Sequence, residues 1–261
     1  MLFVISPAKT LDYASAIPAI ESTLPDFISQ SAELIDVLRK VSPHALAKLM
    51  DISDELSALN VARYAAWSPE FNDENSRAAV YAFMGDVYEG LDVRSLDHDQ
   101  IAYLQTHLRI LSGLYGILRP LDRMQPYRLE MGTRLNTAHG TNLYAFWGMR
   151  VTDTLNALQA NSSAPVLVNL ASEEYFKVVS HKKIRGRVID CVFEDFKNGK
   201  YKIISFFAKR ARGLMVRYAA LNSVTDPEKL KDFDLDGYRF DPEASSADRW
   251  VFRRNAATTL S

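Results

Sequence analysis

The chain has 261 residues and a formal charge of −1, with 48% hydrophobic and 24% charged residues, the balance of an ordinary globular protein. Eleven Gly and ten Pro exclude a collagen-like or low-complexity chain, and the single Cys191 excludes an intrachain disulfide, a CxxC redox pair and a multi-cysteine zinc site. No apolar run approaches the ~20 residues of a membrane span, and Met1–Pro7 lacks the basic and long apolar regions of a secretory signal, so the expected location is the cytoplasm.

Leu2-Phe3-Val4-Ile5, closed by Ser6-Pro7, predicts a short buried strand. A helix is expected to open near Pro25, with Phe27, Ile28, Ile35 and Leu38 at helical spacings. A second should start at the Ser42-Pro43 cap, a third should hold Leu56 and Leu59, and a fourth should cover 74–84. Asp97 can cap a further helix in which Ile101, Leu104, Leu108 and Leu111 recur, ending at Gly113 or shortly after Gly116. Thr141 should open a helix with Tyr144, Trp147, Val151, Leu155 and Leu158 on one face. A strand over 165–170 follows, and then a helix start at Ser172. Two β-rich runs, Val188–Phe196 and Tyr201–Phe207, flank Lys197-Asn198-Gly199-Lys200, the signature of a hairpin with a type I′ turn. A short helix over about 208–222 and a last pair of strands near 238–240 and 250–252 complete one α+β (mixed α/β) domain spanning 1–261.

The near-zero net charge conceals an uneven distribution. Residues 1–106 hold seven basic and sixteen acidic side chains, a net of −9, whereas residues 177–217 hold twelve basic and three acidic, a net of +9. Residues 107–134 add five arginines against two acids, a net of +3. Charge concentrated in this way points to a polyanionic partner, DNA in the first instance.

Lys209, Arg210, Arg212 and Arg217 fall within an arc of roughly 160° on a helix, opposite Ala211, Leu214 and Met215. Cations at a helix N-terminus work against the macrodipole, so a bound phosphate would gain from them and from the free amides together. A solvated face paired with the acidic N-terminal third would give the same stripe. A second cluster, Lys177, Lys182, Lys183, Arg185 and Arg187, runs into the first hairpin strand and should lie near the first. The stretch 107–120 reads as two helical segments meeting at Gly113 and Gly116, flanked by Arg109 and Arg119. That resembles a helix-hairpin-helix, although Gly-x-x-Gly replaces the usual Gly-x-Gly; a helix cap followed by a turn is the plain alternative.

Arg128 with Glu130, and Asp122 between Arg119 and Arg123, are either ion pairs that orient an arginine or acids tuned by their neighbours. Asn169, Glu173 and Glu174 stand where a strand enters a helix, a common place for ligand groups, and Lys9 follows another strand end. The five histidines form no HxxxH or HxH pair, and Cys191 in a strand reads as a core residue. No metal and no cofactor is expected.

Four stretches together resemble one family: Ser6-Pro7-Ala8-Lys9-Thr10-Leu11-Asp12-Tyr13, Leu108 to Gly132, Asn169 to Lys177, and Lys202 to Met215. The chain is similar to the YaaA peroxide stress family, also called DUF328 or UPF0246. The resemblance runs to about Phe252. It implies a cytoplasmic bacterial protein that limits oxidative damage, a single α/β domain with a basic cleft and a helix-hairpin-helix, and binding to duplex and non-duplex DNA. The motif positions fall on Lys9, Arg109, Arg119, Arg128, Glu130, Asn169, Glu174, Lys177, Lys209 and Arg212.

Two functions of different kinds follow. In the first, backbone-dominated DNA binding uses Lys9, Arg109, Arg119, Arg123, Arg128, Lys177, Lys182, Lys183, Arg185, Arg187, Lys209, Arg210, Arg212 and Arg217. In the second, an enzyme acts on damaged nucleobases or nucleosides with Glu130, Asn169 and Glu174 as its catalytic groups, which requires them to converge in one pocket. Weak iron handling by exposed carboxylates is a third and remoter reading.

Overall fold

A computed structural model describes residues 1–255 and places one mixed sheet at the centre of a single α/β domain. The strands of that sheet are β1 (Leu2–Ile5), β2 (Leu108–Ser112), β3 (Gly116–Leu118), β4 (Val166–Leu170), β5 (Arg187–Lys197), β6 (Lys200–Lys202), β7 (Arg239–Phe240) and β8 (Arg249–Arg254). Their order is β7-β8-β5-β4-β1-β2-β3, with β6 on β5. The inner strands β2, β1, β4, β5 and β8 run parallel, and β3, β6 and β7 are antiparallel additions. All four residues of β1 are buried, as expected of a parallel strand covered on both faces. From β1 the chain moves to β2 on one side, then returns to β4 on the other. The carboxyl ends of β1 and β4 therefore meet at a topological switch point, where open α/β sheets form crevices.

Strong local signals fold as expected. Ser42 and Ser172 cap their helices, Asp97 forms a full capping box with Gln100, and Asn198 and Gly199 both take the positive φ that a type I′ turn requires.

The structure corrects several weaker ones. The expected helix-hairpin-helix at 107–120 is a β-hairpin: the helix His98–His107 stops short, and Ile110, Leu111 and Ser112 pair with Leu118, Ile117 and Gly116. Its turn is enclosed, with Leu114 and Tyr115 fully buried. Gly113 lies against the Leu129 carbonyl and Gly116 against the Trp147 ring, so neither offers amides to a phosphate strand. The segment expected as a helix over 74–84 contains only a short turn at Ala79–Ala82 between two-residue strands. Gly148, at positive φ, splits the helix expected from Thr141 into Leu143–Trp147 and Arg150–Leu158. The second hairpin strand ends at Lys202, and Phe206 and Phe207 open a longer helix, Ser205–Leu221. Lys209 consequently stands a full turn inside that helix, away from the free N-terminal amides.

The helix Ser205–Leu221 crosses the short helix Asp86–Leu91 more closely than side chains would allow. A Cβ on Gly213 would fall 1.8 Å from the Val87 carbonyl oxygen, and one on Gly90 would fall 2.1 Å from that of Arg210. This crossing brings Asp86 beside Lys209 and Arg212.

No helix among the described residues is long and apolar enough to cross a membrane.

Candidate functional site

At the switch point lies a cleft of about 410 Å³. One wall is the loop leaving β1, Ser6–Thr10. A second is Met84–Tyr88, a third is Ser172, Glu174 and Tyr175 beyond β4, and Lys209 and Arg212 close the far side. A narrow extension shares Pro7, Ala8, Lys9 and Tyr175 with it and adds Tyr127, Arg128 and Glu130. Ser6 ties the two strand ends together, because its Oγ accepts the Ser172 amide at 2.8 Å and lies 3.3 Å from the Ser172 Oγ.

Glu130 sits between two cations, with Lys9 Nζ at 2.9 Å and Arg128 at 3.1 Å on the same Oε1. The Nε of Arg128 is buried with no partner among the described residues. Glu174 Oε1 accepts the Gly132 amide at 2.9 Å, and its own carbonyl accepts the Tyr144 hydroxyl at 2.8 Å. Lys177 lies over that Tyr144 ring, 5.1 Å from its centroid, which places Lys177 on the rim of the cleft. Tyr175 and Tyr88 are forced well above their ordinary titration range, chiefly by burial and then by the other tyrosines around them. Both therefore keep their hydroxyl protons, and Tyr88 donates its own to the Ser6 carbonyl at 3.2 Å.

Arg212 is the exceptional group. Burial lowers its pKa, with only a weak opposing influence from Cys191, and its Nε is enclosed without a hydrogen-bond partner. No ion pair or hydrogen bond engages any part of its guanidinium among the described residues. The Asp86 carboxylate is equally unengaged among the described residues, and it stands half-buried on the same lining. Sequence reasoning missed Asp86. The signal available was Gly90 and Gly213, two glycines inside helical runs, which mark a close approach of backbones.

Of the fourteen cations expected to bind DNA, Lys9, Arg128, Lys209 and Arg212 line the cleft and its extension, and Lys177 stands on its rim. Lys182, Lys183 and Arg185 follow in and after an exposed turn beyond Lys177.

The other six are engaged elsewhere. Arg109 is 6% exposed and donates to the carbonyls of Gln105, Thr106 and Leu108, closing the helix before it. Arg119 pairs with Asp122 and Asp26, Arg123 with Asp73, Arg187 with Asp248 and Glu228, Arg210 with Asp236, and Arg217 with Asp92. Asp122 is buried, which raises its pKa against the opposing pull of Thr23 and Arg119.

Of the three proposed catalytic groups, Glu174 lines the cleft and Glu130 lines its narrow extension. Asn169 instead bridges strands, donating to Asp190 Oδ1 at 2.8 Å and accepting the Ala171 amide.

Cys191 is buried in β5 and its thiol is pushed far up by burial, so it is held as the unreactive thiol. Among the described residues, no three His, Cys, Asp or Glu side chains gather closely enough to hold a metal ion.

The sequence matches known proteins along almost its whole length. A chain from Paracidovorax citrulli called a UPF0246 protein is 61% identical over 258 residues, covering 98% of this chain and all of its own. UPF0246 proteins of Janthinobacterium sp. (strain Marseille) and Ralstonia pickettii are 62% and 63% identical over 254 residues, covering 97% of this chain and 98% and 99% of theirs. The family model described as "Peroxide stress protein YaaA" matches residues 1–244. The chain thus belongs to the YaaA family of peroxide stress proteins.

Proposed function

We propose that this peroxide stress protein acts in the cytoplasm by binding DNA at the switch-point cleft, chiefly through phosphates. The convergence of Lys9, Arg128 and the helical pair Lys209 and Arg212 from three separate segments carries this reading. Lys177, Lys182, Lys183 and Arg185 supply a track of cations leading away from the rim. Among the described residues no ion pair engages Lys177, Lys182, Lys183 or Arg185, in contrast to the mated arginines elsewhere. Contacts of this kind give an affinity that falls with salt and depends little on sequence.

The test is a salt titration of DNA binding by fluorescence anisotropy. Lys182→Glu combined with Lys209→Glu, both exposed and outside any ion pair among the described residues, should weaken binding to all sequences alike and lower the salt slope by about two, one for each phosphate that is no longer neutralised. Arg217→Glu, a change at a residue already paired with Asp92, should leave that slope unchanged. Binding that ignores salt, or no binding at low salt, would reject this reading.

The meeting of Glu130 and Glu174 in one cleft and its extension favours a second reading, chemistry on a damaged nucleobase. Tyr127 and Tyr175 border the same space. The expected result is release of a modified base from lesion-bearing oligonucleotides, reduced at least about 100-fold in Glu130→Gln, the scale of a lost general acid or base. Intact substrate with the unaltered protein removes the enzyme and leaves the binding function in place.

A further inference from the structure

An arginine partly enclosed by protein and lacking any acceptor is costly, because its charge has lost part of its hydration without gaining a counter-charge. The other buried or half-buried arginines of the chain have one: Arg254 has Asp195 and Asp236, Arg119 has Asp122 and Asp26, and Arg109 has three carbonyls. Arg212 has none among the described residues, and it faces a cleft of about 410 Å³, within the range that encloses a small ligand. Lys209, one helical turn earlier, is exposed at the same wall and is also unpaired. The same lining holds Asp86, which no hydrogen bond or ion pair engages among the described residues, and the carboxylate of Glu174, with Ser6, Thr10 and Ser172.

The cleft therefore brings unmated cations and hydrogen-bond acceptors together on one lining. Its two unmated charges, Arg212 and Asp86, are not paired with each other. The complementary ligand carries an anion at one end and several hydrogen-bond donors at the other.

We propose that the cleft holds a single nucleotide by its terminal phosphomonoester. Arg212 and Lys209 take the phosphate, and Asp86 and Glu174 accept from sugar hydroxyls or a base amino group. A guanidinium fork suits the oxygens of a terminal phosphate, whose second negative charge an internal phosphodiester lacks. The recess at the strand ends admits a chain terminus or a free nucleotide more readily than a continuous duplex. The inference rests on the nucleic-acid reading above and narrows it from the backbone in general to a strand end. A free nucleoside monophosphate offers the same chemistry.

The experiment compares short single strands bearing a terminal phosphate with the same strands dephosphorylated, and titrates AMP by calorimetry. The expected result is at least about tenfold tighter binding of the phosphorylated strand, the effect of one charge-assisted pair. That preference should vanish in Arg212→Met and in Lys209→Gln; the second is an exposed position whose change leaves the fold intact. Arg212→Met should also raise the Tm of the ligand-free protein, whereas loss of a merely structural arginine would lower it.

Equal binding of both strands overturns the inference and leaves DNA binding standing. A preference that survives in both variants overturns it too, because the phosphate is then held elsewhere. If no strand binds, the DNA reading fails, and AMP decides alone. Heat of binding that is lost in Lys209→Gln upholds the nucleotide site, and absence of heat rejects it.

Discussion

Gly213→Ala is expected to destabilise the protein by about 3 kcal/mol, at the upper end of what overpacking a close contact costs. The added carbon would lie 1.8 Å from the Val87 carbonyl oxygen and 2.7 Å from the Leu91 amide nitrogen. Both obstacles are backbone, so no side chain can swing aside, and the helices Ser205–Leu221 and Asp86–Leu91 must separate. Separation would also pull Lys209 and Arg212 away from Asp86, so affinity for the cleft's ligand should fall along with stability. Urea denaturation measures the first effect and anisotropy with labelled DNA the second. Gly199→Ala is the control: nothing lies within 4 Å of its added carbon, and only its positive φ resists the change, at about 1 kcal/mol. A Gly213→Ala midpoint equal to that of the natural sequence would show that the crossing is not tight.

Asp195→Ala should cost about as much, by a different physical route. Asp195 is 4% exposed and accepts from Arg254 Nε at 2.6 Å and from the Tyr238 hydroxyl at 2.8 Å. Arg254 is itself buried between the rings of Phe207 and Tyr238. Removing the carboxylate leaves that guanidinium without its main counter-charge and the tyrosine without an acceptor. Breaking a buried pair in this way costs ~3–5 kcal/mol, and the low end applies because Asp236 still reaches Arg254 at 2.8 Å. For a chain of this size the Tm should drop by roughly 10 °C. Asp248→Ala breaks the exposed pair with Arg187 and should change stability by less than about 1 kcal/mol. Similar Tm values for the two variants would mean that Asp195 is better solvated than its burial indicates.

Where the fold was legible in the sequence, the signal was local and had a single physical cause. Ser42-Pro43, Asp97 with Gln100, and Asn198-Gly199 each fix a cap or a turn through their own chemistry, whatever surrounds them. The stretch 107–120 was not legible, because a strand buried on both faces has no alternation to show. Leu108 and Leu111 extend the helical spacing of Ile101 and Leu104 by coincidence, although the chain has already turned into β2.

The site divides in the same way. Lys9, Glu130, Glu174, Lys209 and Arg212 could be named because they stand in segments whose chemistry is apparent, Lys9 and Glu174 close after strand ends. Which cations remain unpaired is a tertiary fact. Asp26, Asp73 and Asp92 all come from the acidic first third, and they neutralise Arg119, Arg123 and Arg217. The segment charges therefore located the basic surface and overstated its extent.

The central place of β1 has a consequence for biosynthesis. β1 has no sheet neighbour in the growing chain until β2 and β4 have been made, more than a hundred and a hundred and sixty residues later. Pairings so distant along the chain make for slow folding. A nascent polypeptide must therefore shelter an apolar N-terminal segment through most of translation, and it gains a complete cleft only once the helix ending at Leu221 has emerged. Shortage of the chaperones that shelter nascent apolar segments should therefore reduce its yield more than that of helical proteins of equal size.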